Sequence, residues 1–113
     1  MRLIFKIVSR DEWRAAVAKG VFEGSAVDVA DGYIHFSEAG QLRDTARKHF
    51  AGRDDLMLIS IDADRLDPAP IWEPSRGGAL FPHLYGPMPV SAAVEARALI
   101  VDAEASALLE FGR

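Results

Sequence analysis

The segment Leu56–Asp62 constrains the fold most strongly, because nearly all of its side chains are apolar. A continuous apolar run of this length predicts a strand that is buried on both faces. Residues 3–8 predict a second, largely buried strand that only Lys6 interrupts, and residues 94–101 predict a final strand. A short strand is expected at residues 71–73.

Two helices are predicted, and both fall in the first half of the chain. Ser9 and Glu12 form a capping-box pattern at the start of the first helix, and Gly20 is placed to end it. The second helix is expected over residues 38–50, with Gly52 closing it. The strands outnumber the helices, which predicts an α+β layout rather than a regular βαβ alternation. The first helix is expected to bury three residues: Trp13, Ala16 and Val17.

The remaining segments carry weaker local signals. Residues 21–31 have no clear period and predict a loop that contains one short strand. Pro87 and Pro89 are expected to prevent regular structure, and residues 91–94 to form a brief turn. A short C-terminal helix is expected over residues 102–111.

Composition bounds the class of protein. The chain has 113 residues, which suits one domain over residues 1–113. It has no cysteine, which excludes disulfides, thiolate metal sites and a cysteine nucleophile, and which fits a cytoplasmic location. The net charge of −4 argues against binding to duplex nucleic acid by charge alone. No apolar stretch approaches the roughly 18 residues of a membrane span, so we expect no membrane association.

Polar side chains cluster on one face of a strand around His35. Side chains alternate along a strand, so Tyr33, His35 and Ser37 share one face while Ile34 and Phe36 take the other. The ring of His35 either faces a ligand or lies in the core with both nitrogens satisfied. Three polar groups in a row argue against a sealed core, because each would need a partner.

Ser37 has two readings of its own. It is expected to act as the N-cap of the second helix rather than as a nucleophile, because no Gly-x-Ser-x-Gly elbow surrounds it. A helix N-terminus beside His35 would also form an anion site.

A second segment repeats this arrangement, with Phe81, His83 and Tyr85 on one face. Pro82 and Gly86 make the segment rigid, which favours a binding loop over a tight turn with a buried histidine. We therefore hypothesise that the two segments line one pocket.

Three further polar residues lie near these segments. Glu73 is a candidate general base or sugar-hydroxyl acceptor, or else a solvent-facing strand residue. Arg76 lies in a glycine-rich loop and is either a phosphate ligand or simply solvated. His49 is interpreted as structural, at the end of the second helix. His35, His83 and Glu73 would make a two-histidine, one-carboxylate metal set, but no short ligand spacing supports it, so no metal is expected.

Three motifs together resemble the family called domain of unknown function 952. They are residues 32–37 (GYIHFS), residues 72–73 (WE) and residues 81–86 (FPHLYG), and the resemblance extends over about residues 4–98. This family is in turn similar to the ADP-ribosyltransferase superfamily, which includes RNA 2′-phosphotransferases. The resemblance implies a split, mostly antiparallel sheet with two main helices and a cleft for NAD or a related nucleotide.

The same resemblance implies roles for particular residues. His35 would hold ribose hydroxyls, and the two tyrosines would stack on a ring, while His83 or Glu73 would position the reacting hydroxyl. Lys6 stands where the first strand of the superfamily usually carries a histidine. A lysine can bind phosphate as a point charge, so the resemblance implies a phosphorylated or nucleotide ligand, with NAD as a candidate cofactor.

Three functional hypotheses follow. The first is an enzyme of ADP-ribosyl- or phospho-transferase type that acts on a nucleotide, NAD-like or phosphorylated small molecule. The second is a non-catalytic module for a small ligand or a partner protein, and the third is a structural subunit, while the sequence gives no oligomeric state. The candidate catalytic residues are His35, His83 and Glu73, and the candidate ligand-binding residues are Lys6, Tyr33, Ser37, Arg76 and Tyr85.

Overall fold

The computed structural model describes residues 1–102, apart from the side chain of Arg76, and the backbone of residues 110–111. Within these residues the chain forms a small α+β domain with three antiparallel sheets and three α-helices. The helices are α1 (Arg10–Lys19), α2 (Ala26–Asp31) and α3 (Leu42–His49). The strands are β1 (Leu3–Ser9), β2 (Val21–Phe22), β3 (Ile34–His35), β4 (Leu56–Asp62), β5 (Ile71–Pro74), β6 (Leu80–Leu84), β7 (Met88–Pro89), β8 (Ala93–Ile100) and β9 (Glu110–Phe111).

The largest sheet has the strand order β1-β4-β8-β9. The apolar run in β4 is explained by its position in the sheet, between strands β1 and β8 and between two hydrophobic clusters. Alternate residues of β1 and β4 enter two separate hydrophobic clusters, one on each face of the sheet. One cluster takes Ile4, Val8, Ile59 and Ile61. The other takes Ile7, Leu56, Leu58 and, from α3, Leu42 and Ala46.

Helix α1 begins as the sequence predicts. The Glu12 backbone N–H donates to the Ser9 hydroxyl at 3.0 Å, and the Ser9 N–H donates to the Glu12 carboxylate at 2.8 Å. The helix ends at Gly20, whose φ of 88° suits a residue without a Cβ. The predicted stripe is wrong at Val17, whose side chain is 52% exposed. Only the i, i+3 pair Trp13 and Ala16 faces the core, so the buried stripe is narrower than the predicted one.

The prediction for residues 21–31 is partly wrong. The short strand is present as β2, but α2 replaces most of the predicted loop. Its apolar residues Val27 and Val29 are largely exposed, so the segment carries no helical core pattern. Asp28 instead holds the first turn, where its carboxylate accepts from the Ser25 backbone N–H at 2.9 Å. The helix ends at Gly32 with a φ of 89°.

A second sheet, β3-β6-β5, carries both histidine segments. His35 pairs with His83, and Ile34 pairs with Leu84. Ile34, Phe36 and Leu84 lie in the core, so the opposite face of the sheet is left to the polar residues. The backbones of Phe5 and Ser37 exchange hydrogen bonds of 2.8 and 2.9 Å, which join β1 to the end of this sheet.

The second predicted helix is shorter than expected, and its start is different. Residues Ala39–Gln41 form a 3-10 turn, and α3 then covers Leu42–His49. The predicted N-cap role of Ser37 is wrong, because Glu38 takes that position and its backbone N–H donates to Gln41. The Ser37 backbone is occupied by β1 instead, since its N–H donates to the Phe5 carbonyl.

One prediction for the second half is wrong, and a second lies mainly outside the described residues. Pro89 does lie in regular structure, because β7 pairs with β2 in a two-stranded sheet where one missing donor is tolerated. The predicted C-terminal helix falls mainly on residues 103–109, which lie outside the described residues, and Glu110–Phe111 at its end pairs with β8 as a strand. No helix in residues 1–102 is long and apolar enough to cross a membrane.

Candidate functional site

The two histidine segments meet in space. His35 and His83 are direct register partners on β3 and β6, and their ring centroids lie 5.4 Å apart at an interplanar angle of 70°. The ring of Tyr33 packs on both, with centroid distances of 4.6 Å to His35 and 4.2 Å to His83. Tyr85 extends the cluster, 5.1 Å from Tyr33. The alternation predicted from the sequence therefore brings four aromatic rings together.

His83 is buried, with 2% of its surface exposed. Its Nδ1 atom lies 2.8 Å from the Oε1 atom of Glu73. Its Nε2 atom is buried and has no hydrogen-bond partner. A proton on Nδ1 satisfies the carboxylate, so we assign the neutral tautomer with a bare lone pair on Nε2. The ring thus presents one unused acceptor.

Glu73 holds this tautomer in place. The hydroxyl of Tyr85 donates to Oε1 at 2.7 Å, which is the same oxygen that faces His83. The hydrogen bonds from Tyr85 and from His83 lower the pKa of Glu73. In return, the Glu73 carboxylate raises the pKa of Tyr85 to about 12. Glu73 is therefore an ionised acceptor whose oxygen is shared between the two rings.

His35 is held differently, because both of its ring nitrogens face carboxylates. Nδ1 lies 2.6 Å from the Oδ1 atom of Asp28, and Nε2 lies 2.9 Å from the Oδ2 atom of Asp31. The His35 backbone N–H also donates to Asp28, at 3.1 Å. The Nδ1 contact is a hydrogen bond, while the Nε2 contact is an ion-pair contact with the more exposed carboxylate. Both ring nitrogens of His35 therefore lie against carboxylate oxygens, whereas the Nε2 atom of His83 has no partner.

Asp28 is the buried centre of the network, with 2% of its surface exposed. The Nζ atom of Lys6 lies 3.0 and 2.9 Å from its two carboxylate oxygens. Burial alone would raise the pKa of Asp28, but the charge of Lys6 and the hydrogen bonds from His35, Lys6 and Ser25 outweigh it and hold that pKa below its usual range. Burial lowers the pKa of Lys6 against the opposing effect of Asp28. Lys6 is thus already paired within the protein.

A cleft of about 540 Å³ lies beside these residues, which is a size typical of small-molecule sites. Four of the predicted site residues line it: Lys6, His35, Ser37 and His83. Tyr33 lines a neighbouring cavity of about 320 Å³ instead, and Glu73 and Tyr85 line neither. Glu73 therefore contacts His83 from outside the cleft, and Tyr85 contacts Glu73. The side chain of Arg76 is outside the described part of the chain.

Sequence reasoning missed three residues of the site. Asp28 and Asp31 lie in the segment that the sequence predicts as a loop. The Ser25 to Asp28 spacing followed by Gly32 is nevertheless a helix start and stop signal. Thr45 on α3 also lines the cleft, and its hydroxyl lies 2.9 Å from that of Ser37. No local pattern distinguishes Thr45 from any other polar residue of an amphipathic helix.

His35, His83 and Glu73 are the residues that the sequence offers as a metal-ligand set. In residues 1–102, no group of three or more histidine, aspartate or glutamate side chains is arranged to hold a metal ion. The other ring nitrogens of His35 and His83 already lie against carboxylate oxygens. Among the buried side-chain atoms that the structure describes, the one without a partner is the Nε2 atom of His83.

The comparisons with known proteins show a family and give no activity. No curated protein matches the chain. The chain is 51% identical to protein CC0527 from Caulobacter crescentus, whose crystal structure has a TM-score of 0.86 over 91% of this chain and 90% of that chain. The solution structure of CC0527 gives a TM-score of 0.81 at 51% identity, over 93% of this chain and 90% of that chain. The family described as "Protein of unknown function (DUF952)" matches residues 7–96. The chain therefore belongs to the DUF952 family.

Proposed function

We propose that this protein binds a nucleotide-like or phosphorylated small molecule in the cleft, and that His83 contacts the ligand through its Nε2 atom. One observation carries the proposal: this nitrogen is buried, lies in a residue of the cleft wall and has no partner. A buried polar atom without a partner costs about 1–3 kcal/mol, so such atoms are uncommon in folded proteins. A ligand hydroxyl that donates to Nε2 would remove this cost.

The surroundings of His83 suit it to act as a general base. The tautomer assigned from the Glu73 contact leaves the lone pair on Nε2, the nitrogen that we propose contacts the ligand. When Nε2 takes a proton, the ionised Glu73 carboxylate stabilises the resulting imidazolium. Tyr85 positions Glu73, because its hydroxyl donates to the Glu73 oxygen that contacts His83. The reaction class is therefore one that begins with removal of a proton from a hydroxyl.

The charge of the cleft limits the ligand. Among the side chains that the structure describes, two basic residues line it, Lys6 and Arg53. Lys6 is paired with Asp28, and Arg53 makes two hydrogen bonds to Asp55, at 3.0 and 2.8 Å. A polyphosphate would have to compete for both cations. The cleft thus favours a ligand of low charge, such as a monophosphate, over a triphosphate.

The likeness to the ADP-ribosyltransferase superfamily belongs to the same proposal. It is supported by the strand that bears His35 just before α3, and by the division of the strands into sheets joined through Phe5 and Ser37. Under this likeness the reaction is ADP-ribosyl or phosphoryl transfer to a hydroxyl, and NAD is a candidate cofactor. Lys6 stands where the first strand of that superfamily usually carries a histidine, and a lysine cannot copy an imidazole acceptor, so the likeness favours a phosphorylated ligand over NAD.

The test follows the ring nitrogens of the three histidines of the chain by NMR during ligand titration. The probes are NAD, ADP-ribose, nucleoside monophosphates and a phosphorylated RNA oligonucleotide. We expect at least one probe to shift the Nε2 signal of His83 and to raise the melting temperature. His83→Gln should lose both effects while remaining folded, whereas His49→Gln, at an exposed residue of the same cleft, should keep them. If no probe shifts His83, or if both variants behave alike, the proposal is wrong.

A second candidate function is a non-catalytic binding module. It is favoured by the state of His35 and Lys6, whose polar atoms are already held by Asp28 and Asp31. A module of this kind would bind the same ligand without changing it. Incubation of a bound probe with the protein, followed by product analysis, separates the two functions, because only the enzyme generates a product that His83→Gln fails to form.

A further inference from the structure

The two carboxylates that hold His35 differ in their accessibility. Asp28 is buried, with 2% of its side chain exposed, while the side chain of Asp31 is 47% exposed. Asp31 is the last residue of α2 and lines the cleft. An exposed ion pair contributes little to stability, so a ligand can replace Asp31 more easily than Asp28. The contact between His35 Nε2 and Asp31 is therefore the more exchangeable of the two.

We propose that an anionic oxygen of the ligand takes the place of the Asp31 carboxylate on Nε2 of His35. The same ligand donates a hydroxyl to Nε2 of His83, the contact on which the proposed function rests. His35 and His83 are register partners with ring centroids 5.4 Å apart, so the anionic oxygen and the hydroxyl belong to neighbouring parts of one small molecule. A phosphomonoester with a hydroxyl on the adjacent carbon, as in a ribose 3′-phosphate, has both groups at that spacing.

Asp31 then acts as a specificity-determining residue. It occupies the anion position when the ligand is absent, so a neutral molecule gains nothing by displacing it. An oxyanion presents the same kind of negatively charged oxygen to Nε2 and so replaces the contact that it displaces. Asp28 stays in place throughout and holds the His35 ring through Nδ1. The inference names the ligand chemistry: an oxyanion and an adjacent hydroxyl.

The test compares Asp31→Asn with Asp44→Asn. Asp44 is an exposed aspartate on α3 that does not line the cleft, so both variants remove one negative charge. The probes are adenosine 3′-monophosphate, adenosine 5′-monophosphate and adenosine, titrated while the ring nitrogens of His35 and His83 are followed by NMR. In the wild type we expect the 3′-monophosphate to bind most tightly and to shift both rings.

Asp31→Asn should tighten binding of the 3′-monophosphate by about two- to five-fold, which corresponds to the modest strength of an exposed ion pair. Binding of adenosine should not change in Asp31→Asn, and Asp44→Asn should match the wild type for every probe. If the 3′-monophosphate shifts His83 but both variants have the same affinity, or if adenosine binds equally well, this inference is wrong and the proposed function stands. If no probe shifts His83 in any variant, the proposed function fails and this inference fails with it.

Discussion

Lys6 and Asp28 form a buried ion pair in which the lysine Nζ lies 3.0 and 2.9 Å from the two carboxylate oxygens. The pair ties a strand of the largest sheet to the short helix that precedes the first histidine. The side chains are 10% and 2% exposed, so water screens the pair little. Asp28 also accepts from the ring and the backbone of His35. The position of His35 therefore depends on Asp28.

Asp28→Asn should destabilise the protein by about 3 kcal/mol, because it leaves the Lys6 charge buried without a counter-charge. Asp31→Asn is the matched control, since it makes the same chemical change at an exposed carboxylate on the same helix. Its cost should stay below about 1 kcal/mol. Urea unfolding followed by circular dichroism measures both values, and equal losses in the two variants would contradict the buried-pair assignment.

The same pair predicts how stability depends on pH. The pKa of Asp28 lies below its ordinary value of 3.8 in the folded protein, so the unfolded state binds the proton more readily. The contribution of Asp28 is therefore fully present above pH 3.8 and is lost as the pH falls through the lower, folded pKa. The difference in unfolding free energy between wild type and Asp28→Asn should be constant near neutrality and shrink below pH 3.8. A difference that stays constant into strong acid would show that Asp28 is not held as the carboxylate.

Tyr85 should ionise at a pH well above that of a free tyrosine. The Glu73 carboxylate raises the pKa of Tyr85 to about 12, because the phenol donates to it and a phenolate would be repelled by it. Near-ultraviolet absorbance follows the ionisation, and Tyr85→Phe identifies which of the two tyrosines is responsible. Glu73→Gln should move the Tyr85 transition to lower pH. An unchanged transition in that variant would mean that the contact between Tyr85 and Glu73 is absent in solution.

Replacement of His83 and of His35 by leucine should show which of the two rings contributes more to the stability of the fold. His83→Leu removes a buried nitrogen that has no partner and a hydrogen bond to the half-buried Glu73, which keeps its bond from Tyr85, so its stability should lie within about 1 kcal/mol of the wild type. His35→Leu removes a donor from the buried carboxylate of Asp28 and should cost about 2 kcal/mol. Thermal and urea unfolding provide the comparison. A large loss in His83→Leu together with no loss in His35→Leu would reverse these roles.

Much of the fold is predictable because its signals are local. The apolar run of β4 and the capping box of α1 depend on neighbouring residues only, and both lie where the sequence places them. The alternation around His35 is equally local, since the period of a strand sets which side chains share a face. The family could also be recognised from the sequence, because its motifs are short and contiguous.

The errors have a common physical cause, which is that long-range contacts override weak local signals. Helix α2 has exposed valines and is held by Asp28, whose partner Lys6 is 22 residues away in the chain. Serine is a residue type that favours the N-cap position, yet the backbone of Ser37 pairs with β1. Pro89 is compatible with a strand because β7 lies at the edge of a two-stranded sheet. None of these partners can be identified from adjacent residues.

The sequence by itself determined the type of each major element, the face that each aromatic residue shares and the membership of the family. Only the tertiary structure decided that both nitrogens of His35 face carboxylates while the Nε2 atom of His83 faces none. Periodicity determines the direction of a side chain, because the backbone geometry repeats. Hydrogen-bond partners depend on which distant segments pack together, so the buried, unpartnered Nε2 atom of His83 became visible only in the folded chain.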